Sequence, residues 1–124
     1  MKTETIQYFS EKDDEFVNLL IDIGIKKNIA KLLVFLASVP EASSRSLEHG
    51  TDMRQPEISV AMKVLIDKGW ANIRGSSAER IGRPTKIYQL AIPVKEILDL
   101  IEEEKKSETQ DQLALIRKLR DPIQ

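Results

Sequence analysis

The stretch that decides the fold is Arg54–Leu90, RQPEISVAMKVLIDKGWANIRGSSAERIGRPTKIYQL. It opens on Arg54-Gln55-Pro56, and proline is favoured in the first turn of a helix because its missing N–H has no partner there anyway. A helix is predicted from about Pro56 to Lys68, stopped by Gly69. At about 100° per residue, Ala61, Met62, Leu65 and Gly69 fall within about 60° of Ile58, with Ile66 at the edge; this is the core face. Pro56, Val60, Lys63 and Asp67 fall on the opposite side, with Ser59 beside them. An apolar strand, Trp70-Ala71-Asn72-Ile73, follows at once, with Ala71 and Ile73 on one face. A polar connection, Arg74 to Arg83, leads to a second strand, Thr85 to Leu90, in which Ile87 and Gln89 share one face and Lys86, Tyr88 and Leu90 the other. The connection is too long for a tight hairpin turn.

Upstream, Ser10-Glu11-Lys12-Asp13 has the form of a capping box with an acidic first turn. Phe16, Leu19, Leu20 and Ile23 follow at helical spacing, and Gly24 is a plausible stop. Ahead of this helix lies a small apolar cluster, Ile6, Tyr8 and Phe9. A second helix is predicted from about Lys26 to Ser38 on Ile29, Leu32, Leu33 and Leu36, and Pro40 forbids its continuation. Glu41-Ala42-Ser43 is short and extended, long enough for one bridge to a sheet edge. Ser43 or Ser44 caps a third helix through Leu47 to about Gly50. Thr51-Asp52-Met53 is the turn into the fourth.

Downstream, Pro93 sits at the first position of a last helix. Stepping by four and three gives Val94, Leu98, Ile101, Lys105, Glu108, Gln112, Leu115 and Leu119, with the polar positions in the middle. This is one long helix with a wet middle, or two helices broken near Ser107-Glu108-Thr109. The fold class expected is therefore mainly α with a small β-hairpin (α+β): a helix-turn-helix followed by a wing, with an added N-terminal helix and a C-terminal helix. Residues 1–91 form the expected winged-helix domain and 92–124 a helical dimerisation segment.

The bulk numbers exclude several classes. At 124 residues and 41% apolar side chains the chain builds one core. With no cysteine there is no disulfide and no thiolate metal site, and the lone histidine, His49, cannot make a histidine cluster. Trp70 is read as a plug between helix and sheet, and Glu102–Glu104 as a solvated face. Met1-Lys2-Thr3-Glu4-Thr5 lacks an apolar signal core, and the longest apolar run, Leu32 to Ala37, is too short to span a bilayer. A soluble, cytoplasmic protein with no membrane partner is expected. No phosphate loop, nucleophile elbow or metal-ligand spacing is present, so no enzymatic activity and no cofactor are expected.

The charge is placed unevenly. The net is −1 overall, yet residues 54–90 hold seven basic side chains (Arg54, Lys63, Lys68, Arg74, Arg80, Arg83, Lys86) and three acidic ones (Glu57, Asp67, Glu79), a local net of +4. Residues 1–53 carry six basic against nine acidic groups and 91–124 six against eight. A local positive field on an otherwise acidic chain is the footprint of a nucleic-acid partner.

The candidate DNA contacts follow from side-chain chemistry. Gln55 can pair with adenine edges, Arg54 with guanine or phosphate, and Val60 with a thymine methyl, while Pro56 and Ser59 share that face and Lys63 would reach phosphate. Glu57 opposes phosphate unless it accepts from a cytosine amino group or pairs with Arg54. Arg80, Arg83 and Lys86 surround Gly82 and Pro84 on the wing, where an arginine gains from the potential of a narrow minor groove. Val94, Leu98, Ile101, Leu115 and Leu119 are read as the seam of a homodimer, the alternative being a helix folded back on its own domain; a dimer would set two recognition helices about one DNA turn, ~34 Å, apart.

These segments resemble the winged-helix transcriptional regulators of the TrmB, ArsR and MarR type, especially small archaeal ones. Ile23-Gly24-Ile25-Lys26-Lys27-Asn28-Ile29-Ala30-Lys31 is similar to the TrmB-like opening, in which a glycine precedes a helix with alanine followed by a basic residue. Leu65-Ile66-Asp67-Lys68-Gly69-Trp70 resembles the Leu-x-x-x-Gly-apolar ending of the recognition helices, and Gly82-Arg83-Pro84-Thr85-Lys86-Ile87-Tyr88 the wing return. The resemblance covers just over half of the chain. It implies a dimer on promoter double-stranded DNA, with Arg54 to Lys63 in the major groove and Arg80 to Lys86 on the wing. The chain departs from the pattern in three ways. Its recognition helix lacks the usual Ser/Thr cap. It has no room for the sugar-binding domain of TrmB, and no Cys or His ligands of the metal-sensing ArsR members, so the effector is unassigned. The rival reading is a winged helix that contacts protein within the transcription machinery without reading DNA. An outer face lacking Lys63 and a wing lacking arginine would favour it, and this chain has both.

Overall fold

The apolar run Leu32–Leu36 becomes the centre of the fold. The computed structural model describes residues 10–78 and 84–123, without the side chains of 76–78 and 84–85. Its elements are α1 (Glu11–Asp22), α2 (Lys27–Ser38), β1 (Ala42–Ser43), α3 (Ser44–Thr51), α4 (Gln55–Asp67), β2 (Ala71–Ala78), β3 (Pro84–Leu90) and α5 (Val94–Arg120). In α2, Ala30, Leu32, Leu33, Val34, Phe35 and Leu36 are all buried. A helix apolar on nearly every side must be surrounded, and α2 packs against α1, α3, α4 and β3. Each large aliphatic side chain so buried contributes about 1.5–3 kcal/mol.

Local chemistry sets the ends of the helices. The Asp13 N–H donates to Ser10 Oγ at 3.2 Å and the Ser10 N–H to Asp13 Oδ2 at 3.0 Å, a complete capping box on α1. Ser43 caps α3 by accepting from the Ser46 N–H at 3.1 Å. α4 closes in a Schellman motif. The Gly69 N–H donates to the Ile66 carbonyl at 2.9 Å and the Trp70 N–H to the Leu65 carbonyl at 3.0 Å. The motif requires φ of +80° at Gly69, which glycine adopts without a Cβ clash. It also turns Trp70 inward, where the indole is 3% exposed, as a plug between α4 and the sheet.

Three strands form an antiparallel sheet in the order β1-β3-β2. Ala42 of β1 pairs with Tyr88, so the short segment after Pro40 is the sheet edge expected of it. The hairpin differs from the sequence reading. β2 runs on to Ala78 and β3 starts at Pro84, so Arg74–Ala78, expected in the connection, is strand instead. Gly75-Ser76-Ser77-Ala78 has no apolar alternation; its pairing with Pro84–Ile87 is a backbone ladder that needs none. The register shifts between Ile73 and Gly75, leaving Arg74 as an extra, bulged residue. Ile87 and Tyr88, consecutive on β3, are both buried, so both faces of the strand are covered there.

The chain divides into two compact units between Pro93 and Val94. The second is one continuous helix of 27 residues, about 40 Å long at a rise of 1.5 Å per residue. Ser107-Glu108-Thr109 contains no proline or glycine, and the wet middle is bridged by Lys106–Glu102 at 3.6 Å and Lys105–Glu108 at 3.4 Å. Ile97 and Ile101 are buried, whereas every residue from Lys106 to Arg120 is exposed.

Candidate nucleic-acid interface

α4 is divided sharply between core and solvent. Ile58, Ala61, Met62 and Leu65 are buried, each at 3% exposure or less. Pro56, Ser59, Val60 and Lys63 are exposed, as their positions on the helical wheel require, and Arg54 and Gln55 are exposed at the N-terminal end of the helix. Val60 is 70% exposed, so the outward face presents an isopropyl group to solvent.

Two of the candidate readers carry local duties as well. Gln55 Nε2 donates to the Ser44 carbonyl at 3.2 Å, tying the start of α4 to the first residue of α3. An amide nitrogen has a second hydrogen and its oxygen accepts, so Gln55 keeps one donor and an acceptor for a base. Glu57 Oε1 accepts from the Arg54 backbone N–H at 3.0 Å. Glu57 thus caps the main chain, a duty that arginine at the cap position cannot return, having no acceptor. The turn before α4 is held by Asp52, whose φ of 58° and ψ of 36° are left-handed.

The positive charge is more compensated than a count along the chain shows. Lys63 Nζ lies 3.2 Å from Asp67 Oδ2, one helical turn on. Arg74 is gripped at two points by Glu41, with Nε 2.9 Å from Oε2 and Nη2 3.2 Å from Oε1. Sequence reasoning placed Glu41 at a sheet edge but missed this pair; Glu41 lies 33 residues away and meets Arg74 only because β1 and β2 flank the same strand. Lys68 Nζ stands 4.9 Å from the centre of the Trp70 ring. Lys86 is exposed on β3, while Arg80 and Arg83 lie outside the described residues, as does the cluster Ile6, Tyr8 and Phe9.

Of the dimer-seam candidates, Ile101 is 2% exposed in the single chain and Val94 and Leu98 are half-buried. Leu115 and Leu119 are 57% and 67% exposed, and Leu113 and Ile116 are open beside them. Among the described residues, no group of three or more His, Cys, Asp or Glu side chains is placed to hold a metal. Nor is any helix among them long and apolar enough to cross a membrane.

No family model matches the chain, and no curated protein does. Solved structures do. The archaeal chromatin protein TrmBL2, described as showing a novel mode of DNA binding, is 16% identical with a TM-score of 0.68 over 90% of this chain. The chain spans 40% of that protein's length. A possible transcriptional regulator from Methanosarcina mazei is 14% identical with a TM-score of 0.63, covering 87% of this chain and 88% of its own. MarR from E. coli is 16% identical with a TM-score of 0.53, covering 91% and 88%. The fold is the winged helix-turn-helix of TrmB- and MarR-type regulators. In that fold α3 and α4 are the helix-turn-helix pair and β2–β3 the wing.

Proposed function

We propose that the chain is a sequence-specific DNA-binding transcriptional regulator that works as a homodimer. α4 enters the major groove, and the β2–β3 wing lies on the minor groove or the backbone. One observation carries the reading: the outward face of α4 presents Ser59, an exposed Val60 and Lys63, with Arg54 and Gln55 exposed at its N-terminal end, on a helix whose other face is core. Arginine, amide, hydroxyl, apolar and ammonium groups exposed on one helix and its cap can supply the contacts that distinguish base edges and grip phosphate. A face used only for solvation gains nothing from an exposed valine. The DNA binding described for TrmBL2 supports the same partner.

Residues 1–91 would carry the reading head, and 92–124 the dimer contact through the exposed Leu115 and Leu119. A two-fold pair presents two copies of α4 about one DNA turn, ~34 Å, apart. Binding-site selection from random duplex DNA tests the reading. The expected product is an inverted repeat with half-sites one turn apart. Recovery of no sequence, with retention of a protein partner instead, would favour a protein-contact module.

A further inference from the structure

The wing is attached to the body of the fold by little main chain. β1 contributes two register pairs to β3, Ala42↔Tyr88 and Ser43↔Ile87. β2 lies on the other side of β3 and is interrupted by the bulge at Arg74. At that bulge the Arg74 guanidinium reaches over β3 and takes both carboxylate oxygens of Glu41, at 2.9 and 3.2 Å. Beside it Gln89 Nε2 donates to Asn72 Oδ1 at 3.0 Å. A bulge re-aims a side chain, and a two-point arginine–carboxylate grip fixes direction as well as distance.

We propose that Glu41 and Arg74 are positioning residues for the wing: their ion pair straps β2 to the entry of β1 and holds the hairpin, with Lys86, at the angle at which it meets DNA. The inference rests on the DNA-binding reading above. Glu41 touches no DNA in this scheme. It acts by making the docked pose of the hairpin the resting one, which lowers the ordering cost of binding.

The test is fluorescence anisotropy with a random-sequence duplex of about three helical turns, over a series of salt concentrations. Glu41→Gln is expected to weaken binding about two- to ten-fold, and Arg74→Gln to do the same. Both side chains are about half exposed, so the fold should survive, as thermal melting will verify. Lys86→Met in the wild-type background lowers the salt slope by about 0.9, and adds much less once Glu41 is Gln. The swapped pair, Glu41→Arg with Arg74→Glu, restores affinity. Tighter binding by Glu41→Gln would overturn the proposal, because Arg74 would then be a phosphate ligand that Glu41 covers. Unchanged binding, or an undiminished Lys86 effect, would overturn it too. If the wild type and every variant leave the duplex unbound at low salt, the DNA-binding reading itself fails and the strap with it.

Discussion

Gly50 of α3 lies against the ring of Phe35 in α2 with no room for a side chain between them: a Cβ at residue 50 would overlap the ring edge. The two helices approach at that point because one of them contributes only backbone. Phe35 is 4% exposed and enclosed by the core, so it has nowhere to retreat. Gly50→Ala is therefore expected to destabilise the fold by about 1–3 kcal/mol through overpacking. The sign is informative, because alanine is the better helix former by up to about 1 kcal/mol. Urea unfolding checks it; a variant as stable as the wild type would mean that α3 shifts freely on α2.

The amide of Gln55 is tied to α3. Its hydrogen bond to the Ser44 carbonyl is exposed and worth at most about 1 kcal/mol, so Gln55→Ala should cost little stability. It should still change the base preferred at one position of each half-site, where the remaining donor and the acceptor would read an edge. Gln55→Glu separates the two roles: it loses the donor to Ser44 but keeps an acceptor for DNA. Repeating site selection with both variants gives the answer, and identical preferences in all three proteins would remove Gln55 from the readout.

Much of the fold, and which side of α4 is exposed, was legible along the chain, and the reasons are local. Ser10 with Asp13, Ser43, Gly24 and Gly69 each mark a helix end by chemistry that operates within a few residues. The period of Ile58, Ala61, Met62 and Leu65 states which side of α4 is inside. The misreadings share a different cause. Gly75–Ala78 is strand because β3 offers it a ladder, and no side chain there announces this. The Arg74–Glu41 pair depends on the order β1-β3-β2, which adjacency in sequence does not encode. The local charge of the block was overstated for the same reason, since Glu41 lies outside it.

Lys63 is paired before any DNA arrives. To grip a phosphate it must leave Asp67, 3.2 Å away, and both groups are well exposed, so the pair itself is worth no more than about 1 kcal/mol. Asp67→Asn should tighten binding to duplex DNA about two- to five-fold. The gain should vanish in a Lys63→Met background, which distinguishes the release of Lys63 from a general rise in net charge. Asp22→Asn, at the end of α1, makes the same change of charge and should leave affinity nearly unaltered. A gain that persists without Lys63 would show that Asp67 repels DNA directly.

The apolar stripe of α5 changes character along its length, and the proposed dimer contact is assigned to its C-terminal half. Ile97 and Ile101 are buried. Leu113, Leu115, Ile116 and Leu119 are between 43% and 67% exposed, on a part of the helix whose other residues, Ala114 aside, are polar or charged. Burying them in a second copy would gain about 25 cal/mol for each Å² of apolar surface covered. Leu115→Glu combined with Leu119→Glu is therefore expected to leave the folded winged helix intact and to give a monomer in sedimentation. Because two linked reading heads bind more tightly than one by a factor of about 10² or more, affinity for an inverted repeat should fall by at least that factor. Affinity for a single half-site should be nearly unchanged. A double variant that still sediments as a dimer would move the contact away from α5.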